Sequence, residues 1–334
     1  MIARTNGKEG KLQRLASLFS LQRLPIFIIL VILLLAPYLV GSYKVIFLYL
    51  IFKYLSLAAS YDIIGGRMGY MNLGHSSFFG IGTYTFGILF SKGFGMVFSL
   101  TAAVILAVLF ALGISYPLFR LREAYFALAT FGLMTLLELL AFNLTGLTEG
   151  AAGLSIMPGV SGRWLLLISY YLALTTALVT LITNYLIANS RFGLALASIR
   201  EDEEVAETSG VPTFRYKQRA LVISSIFPAL MGGINMWQLT FTDPEGAFGI
   251  EVALTPVIMA MLGGTGTLWG PVIGVVFVTL VQELLWTRMP YLHLAVYGVA
   301  LLWVGLLLPG GLVSIKGFNF FKKLFLPIGK NSRK

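Results

Sequence analysis

Long apolar runs, parted by short polar stretches, dominate this chain. The runs at 25–41, 45–61, 72–90, 95–118, 125–144, 164–188, 219–240, 251–264, 268–286 and 290–308 read as membrane segments. About 20 helical residues cross the roughly 30 Å of a hydrocarbon core. None of the runs alternates with the period of two that barrel strands require, so the segments are helical. Two are irregular: 72–90 is rich in Gly and Ser, and 251–264 is too short to cross unless tilted or broken. The pattern predicts an all-α, polytopic transmembrane helix bundle of about ten segments, some broken or short, in one domain over residues 25–315.

The polar stretches are an arm at 1–24, the loop Thr145–Arg163, a charged island at 190–218 and a tail at 316–334. In the arm, Leu12, Leu15, Leu18 and Leu21 are spaced for a helix lying on a membrane surface. The run after it reads as a spanning helix that stays, since a cleaved signal has a shorter core and a small-residue cleavage site. The tail is basic and suits anionic lipid. With ten crossings, only Lys44, Lys92, Arg163 and Arg288 of the 24 basic residues fall outside, and Lys53 lies within a segment. Basic residues concentrate on the cytoplasmic side of membrane proteins. Both termini and the island are therefore expected in the cytoplasm of a multi-pass protein of a bacterial-type plasma (inner) membrane.

Composition agrees. The chain is 57% hydrophobic and only 11% charged, against about a quarter charged in soluble domains. With no cysteine and only His75 and His293, disulfides and thiolate metal sites are excluded, and no metal is expected. The net charge of +10 follows from the same inside bias. No basic face carries interleaved aromatic platforms, so nucleic acid is not an expected partner.

The island is unlike its surroundings. Asp202 can cap a short helix through Val205–Ser209, Gly210 can stop it, and Pro212 follows. Apolar positions, among them Leu194, Ile199, Val205 and Ala206, alternate with charged ones. A solvated loop is the plain reading; a docking helix driven by a soluble partner is the sharper one.

Here a resemblance becomes specific. Glu204-Val205-Ala206-Glu207-Thr208-Ser209-Gly210 resembles the E-A-A-x-x-x-G signature of ABC-importer permeases, with Val in the first Ala place and without the signature's Ile-x-Leu-Pro tail. "GYMNLGHSSFFGIGTYTFGIL" (69–89), "YFALATFGLMTLLELL" (125–140), "TGLTEGAAGL" (145–154), "MLGGTGTLWGPVIGVVF" (261–277) and "YGVALLWVGLLLPGGL" (297–312) are similar to segments of branched-chain amino-acid ABC permeases of the LivM type. The resemblance covers about 45–315. It implies a second, LivH-type permease, two ATPase subunits that hold ATP and Mg, and an external amino-acid-binding protein. It implies no catalytic residue or cofactor in this chain, and a coupling segment containing Ile199, Arg200, Asp202, Glu204, Ala206, Glu207 and Gly210. The residues fit that division, because the glycine cluster Gly263-Gly264-Thr265-Gly266 lacks the lysine of a phosphate loop.

Candidates for the translocation path lie at two glycine breaks. Asn72, Gly74, His75, Ser76 and Phe79 form one, and Thr267 and Gly270 the other; small residues there pack helices closely or mark a broken helix beside a path. The two breaks are expected to face each other. Ionisable groups inside a membrane are functional hypotheses by default. Glu138, Glu251 and Glu283 are the acids within segments, and Glu138 is read as path lining or as the partner of Lys53. Phe78, Tyr84, Phe126 and Trp237 are possible apolar walls. Alternative functions are a urea or short-amide ABC permease and, from another class, a self-sufficient ion-coupled carrier; no nucleophile–base pair points to an enzyme.

Overall fold

A computed structural model describes residues 24–288, Gly298 and 311–314. All of the expected arm but its last residue, all of the last segment but Gly298, and the tail at 316–334 lie outside these residues. The described chain is overwhelmingly helical, as the apolar runs require. Its helices are α1 (Leu24–Leu39), α2 (Ser42–Ile64), α3 (His75–Ser91), α4 (Met96–Leu118), α5 (Glu123–Asn143), α6 (Thr145–Thr148), α7 (Gly162–Ala188), α8 (Arg191–Glu201), α9 (Glu203–Thr208), α10 (Thr213–Leu239), α11 (Pro244–Phe248), α12 (Ile250–Gly263) and α13 (Gly270–Arg288). Two compact units are present, one of residues 1–45 with 315–334 and one of residues 46–314. All contacts below belong to the second.

Among the described residues, six helical stretches are long and apolar enough to cross a membrane: Ser42–Ile64, Met96–Leu118, Ala124–Asn143, Gly162–Ala188, Thr213–Leu239 and Pro244–Gly263. Ile28–Leu39 and Gly270–Leu285 are apolar but shorter. The two irregular segments resolve physically. The Gly/Ser-rich run yields the 17-residue α3, which starts only at His75 because the chain before it, Gly65 to Gly74, runs as turn and loop. The short segment is lengthened by α11, whose Asp243 cap accepts from the Gly246 amide at 3.0 Å, giving one apolar stretch from Pro244 to Gly263. The helix expected from 219 begins earlier, at Thr213, and takes Arg215, Lys217 and Arg219 into its first turns.

The centre of the bundle is the crossing of α3 with α10. A Cβ added at Gly82 would collide with the Ala229 carbonyl, and one at Gly232 with the Phe79 carbonyl. The two backbones therefore touch with no side chain between them, the close packing that small residues permit in membranes. Gly80 is closed in the same way by the Phe248 ring. Two clusters of buried side chains flank this crossing, one with Phe78, Phe126 and Leu221, the other with Tyr84, Phe86 and Trp237. At the Trp237 end, a two-stranded antiparallel ribbon pairs Leu154 with Thr242 and Ser155 with Phe241, tying the loop after α5 to the end of α10.

The helices differ sharply in enclosure. The α10 window has a mean hydropathy of 1.5 and is 78% buried, whereas that of α4 has 2.7 and is 22% buried. Polar residues, Ser224, Ser225 and Asn235 among them, stay inside with α10, and aliphatic ones such as Ile105 and Leu109 face outward from α4.

The crossing makes a contrast between glycines testable. Gly82→Ala is expected to cost about 1–3 kcal/mol through overpacking. Gly113→Ala on α4, where an added Cβ meets nothing within 4 Å, is expected to be neutral or to stabilise by up to ~1 kcal/mol through helix propensity. Thermal unfolding of the two purified variants against the parent chain measures the difference; equal shifts would remove the close crossing.

Candidate functional site

The island folds as two short helices joined by a one-residue break. Ser190 caps α8 by accepting from the Gly193 amide at 3.2 Å. Asp202 has extended backbone and caps α9, its Oδ1 accepting from the Glu204 and Val205 amides at 2.9 and 3.0 Å. Gly210 sits at φ 86°, a left-handed turn in which a side chain would be strained, and the chain then restarts as α10. The capping and stopping residues act as the sequence indicates.

The faces sort differently. Ile199 and Ala206, assigned to the coupling segment from the sequence, are buried in the bundle core together with Leu196. Leu194 and Val205, 69% and 59% exposed, are the apolar side chains that α8 and α9 present outward, beside exposed Glu204 and Glu207.

Three sets of polar contacts tie these helices to the rest. Glu203 Oε1 accepts from buried Lys217 Nζ at 2.5 Å, and its other oxygen accepts from the Tyr70 hydroxyl. Lys217 also lies over the Tyr70 and Phe119 rings at 5.2 and 5.3 Å. Burial opposes the Glu203 charge, but the hydrogen bonds from Lys217 and Tyr70 outweigh it and hold the carboxyl below its ordinary range. Second, Arg122, just before α5, donates to Glu204 at 2.7 Å in an exposed pair; such pairs add little stability but fix a position. Third, Arg200 donates from Nη1 to the Gly66 carbonyl at 2.6 Å.

Arg200 meets a junction there. Gly66 follows α2, and Asp62 in the last turns of α2 accepts from the Gly266 amide at 2.6 Å. A Cβ at Gly66 would strike both the Asp62 carboxylate and the Gly266 amide, and one at Gly266 would strike Arg200. Arg67, in the same turn, donates to Asn184 of α7 at 2.6 Å, and Asn184 donates onward to the Ala59 carbonyl at 2.7 Å. Helix α8 therefore touches, through one guanidinium, both loops that lead into α3 and α13.

Those loops are the two glycine breaks, and a polar side chain bonds a glycine amide in each. Asn72 Oδ1 accepts from the Gly74 amide at 3.0 Å. Thr267 Oγ1 accepts from the Gly270 amide at 2.9 Å and donates to the Gly264 carbonyl at 2.9 Å. Gly74 packs against Thr130 and Gly270 against Gly264, so the loops are joined at Gly66 and Gly266 and not at the helix starts. His75 and Ser76 are buried: His75 Nε2 pairs with Ser60 Oγ at 2.9 Å, and Ser76 donates to the Phe248 carbonyl at 3.3 Å. Phe78, Phe126 and Trp237 are core residues.

Glu138 is half-buried on α5. The expected partnership with Lys53 is not formed. Lys53 Nζ donates to Asn235 Oδ1 at 2.9 Å. Lys217, Asp62 and Asn235 were not singled out from the sequence, because each owes its meaning to a contact far along the chain. Among the described residues no group of acidic or histidine side chains is arranged to hold a metal.

The geometry is that of an apolar helical bundle with a small polar hairpin tied to its helix ends. The family model for the branched-chain amino acid transport system / permease component matches residues 43–305. The chain belongs to that family: it is a membrane-embedded permease component and not an enzyme. It is 26% identical over 294 residues to the high-affinity branched-chain amino acid transport system permease protein LivM of Salmonella typhimurium, covering 79% of this chain and 68% of that protein. The LivM protein of Escherichia coli matches over the same extent at 26% identity. The autoinducer 2 import system permease protein LsrC of Yersinia pseudotuberculosis is 28% identical over 218 residues, 62% of this chain and 59% of that protein. No solved structure matches.

The Glu203–Lys217 pair sets a pH dependence. Because the folded Glu203 carboxyl titrates below its ordinary value of 4.5, the pair stabilises fully above that value and is lost as pH falls through the lower folded one. Glu203→Gln is therefore expected to lower the unfolding temperature at neutral pH, with the gap to the parent closing as pH falls below the ordinary value of 4.5. A gap that holds constant across that range would deny the pair this role.

Proposed function

We propose that this chain is one of two permease subunits of an ATP-driven importer for branched-chain or related neutral amino acids. Solute arrives from an external binding protein, and two separate ATPases work the α8–α9 hairpin. Ten segments cross the bilayer in this reading, with the arm, the hairpin and the tail on the ATPase side. ATP and Mg belong to the ATPases, since the glycine cluster at 263–266 carries no phosphate-loop lysine.

One observation carries the reading. The hairpin shows Leu194 and Val205 outward while it holds α10 through Lys217, α5 through Arg122, and the α2–α3 and α12–α13 loops through Arg200. A displaced hairpin must move the helix ends beneath it. Rocking between outward and inward access then needs no chemistry in this chain, only a bias between two packings supplied by the ATPases. The similarity to the LivM proteins supports an amino acid as solute. The LsrC similarity supports a second reading on the same machine, import of a solute of the autoinducer 2 kind.

The test is a purified complex of this chain with its second permease, ATPases and binding protein. Neutral amino acids with the binding protein are expected to stimulate ATP hydrolysis and uptake into proteoliposomes. Glu204→Ala with Gly210→Val is expected to abolish that stimulation while membrane insertion stays intact. Uptake by this chain alone, without ATPases, would establish an ion-coupled carrier instead; stimulation by a short amide or by a sugar-like solute only would replace the substrate class.

A further inference from the structure

We propose that the hairpin-side ends of α4 and α10 form a binding site for an anionic phospholipid. Its acyl chains lie on α4, and its phosphate meets Arg120, Arg215 and Arg219. The site does not depend on which solute is carried.

Among the six spanning stretches α4 has the highest mean hydropathy, 2.7. Its exposed Ile105, Leu109, Leu112 and Tyr116 recur at steps of three or four and so share one face. That face ends on a charge. Arg120, just past the helix, donates from Nη2 to the Tyr116 hydroxyl, and its guanidinium lies 4.2 Å from the centre of the same ring. The start of α10 stands alongside. Gln218 Nε2 donates to Ser115 Oγ at 2.8 Å, and the Phe214 and Tyr116 rings meet edge-on with their centres 6.1 Å apart. Arg215 and Arg219 directly follow Phe214 and Gln218, both are exposed, and they lie one turn apart on one face of α10.

These arginines are unspent. Among the described residues the ion pairs at this end are Glu203–Lys217 and Glu204–Arg122, and none of the three takes part in either. Like charges one turn apart destabilise a helix, and an anion between them removes that cost. The apolar face below selects the occupant. A soluble ATPase can meet the arginines but not Ile105, Leu109 and Leu112, which lie deeper in the span. A phospholipid carries hydrocarbon, an interfacial region and a phosphate in the same order as this surface. Aromatic rings settle at headgroup level, guanidinium groups bind phosphate through paired hydrogen bonds, and basic clusters at the ends of spans attract anionic lipids. A zwitterionic headgroup brings its own ammonium against the arginines, so an anionic one is preferred.

The experiment adds phosphatidylglycerol or phosphatidylcholine to the purified complete complex in detergent and counts retained lipid by native mass spectrometry. Phosphatidylglycerol is expected to be retained in preference and to raise the unfolding temperature. Arg120→Gln, Arg215→Gln and Arg219→Gln are each expected to weaken its retention about fivefold, and the three together about a hundredfold. Arg163→Gln, at an exposed arginine on the opposite end of the bundle, is expected to change nothing. If the triple variant does not assemble, the three single variants decide. Equal retention of the two lipids by the parent overturns the site, and so does undiminished phosphatidylglycerol in the arginine variants. Should those variants keep the lipid but shed the ATPase subunits, the surface is a protein contact. Glycerol phosphate that stabilises the complex as well as the whole lipid does would leave an anion site with no lipid in it, and overturns the proposal too.

Discussion

Two backbones in contact, those of α3 and α10, govern the arrangement of this protein. Gly82 and Gly232 let the helices approach until the Ala229 and Phe79 carbonyls would obstruct any added carbon. Lipid tails are as apolar as leucine, so little is gained in a bilayer by burying one more aliphatic side chain; dispersion at short range and satisfied polar groups decide. The crossing supplies the first and shelters the second. Asn235, Ser224 and Thr83 all sit within it or beside it, out of reach of hydrocarbon.

From that fixed crossing the polar wiring runs to one end of the bundle. Helix α10 starts against the hairpin through the Glu203–Lys217 pair, so the most enclosed helix and the most exposed segment share a joint. The Arg200–Gly66 and Asp62–Gly266 bonds complete a triangle of α8, the loop after α2 and the loop before α13. The glycines there are not loose hinges. Each is closed by a neighbour within collision distance of a methyl group, which makes the junction stiff enough to pass a displacement on. Packed elements of this kind change between discrete arrangements, not by gradual deformation.

Much of this was legible locally. Apolar runs placed the helices, and Asp202, Gly210 and Pro212 marked the hairpin because capping and turn geometry depend on near neighbours. Asn72 and Thr267 stood out as polar residues beside glycines, and each accepts from the amide of a nearby glycine. What stayed hidden required contacts across the fold. Charge alone made Arg215 and Lys217 look like loop, yet Lys217 is buried under two rings against Glu203. Glu138 appeared the natural counter-charge for Lys53 by depth, but Asn235 on α10 occupies that place. Ile199 and Ala206 read as docking surface until the phase of α8 and α9 turned them into the core.

The uneven enclosure of the helices bears on how the chain is made. Helix α4 can rest in lipid as soon as it leaves the ribosome's channel, whereas α10, carrying Ser224, Ser225, Asn235 and two adjacent glycines, is a poor solo resident of hydrocarbon. Because α3 precedes α10 in the chain, its glycine-lined face is made before the helix that fills it. The order of synthesis thus matches the order in which such a joint goes together, the groove first and its occupant second.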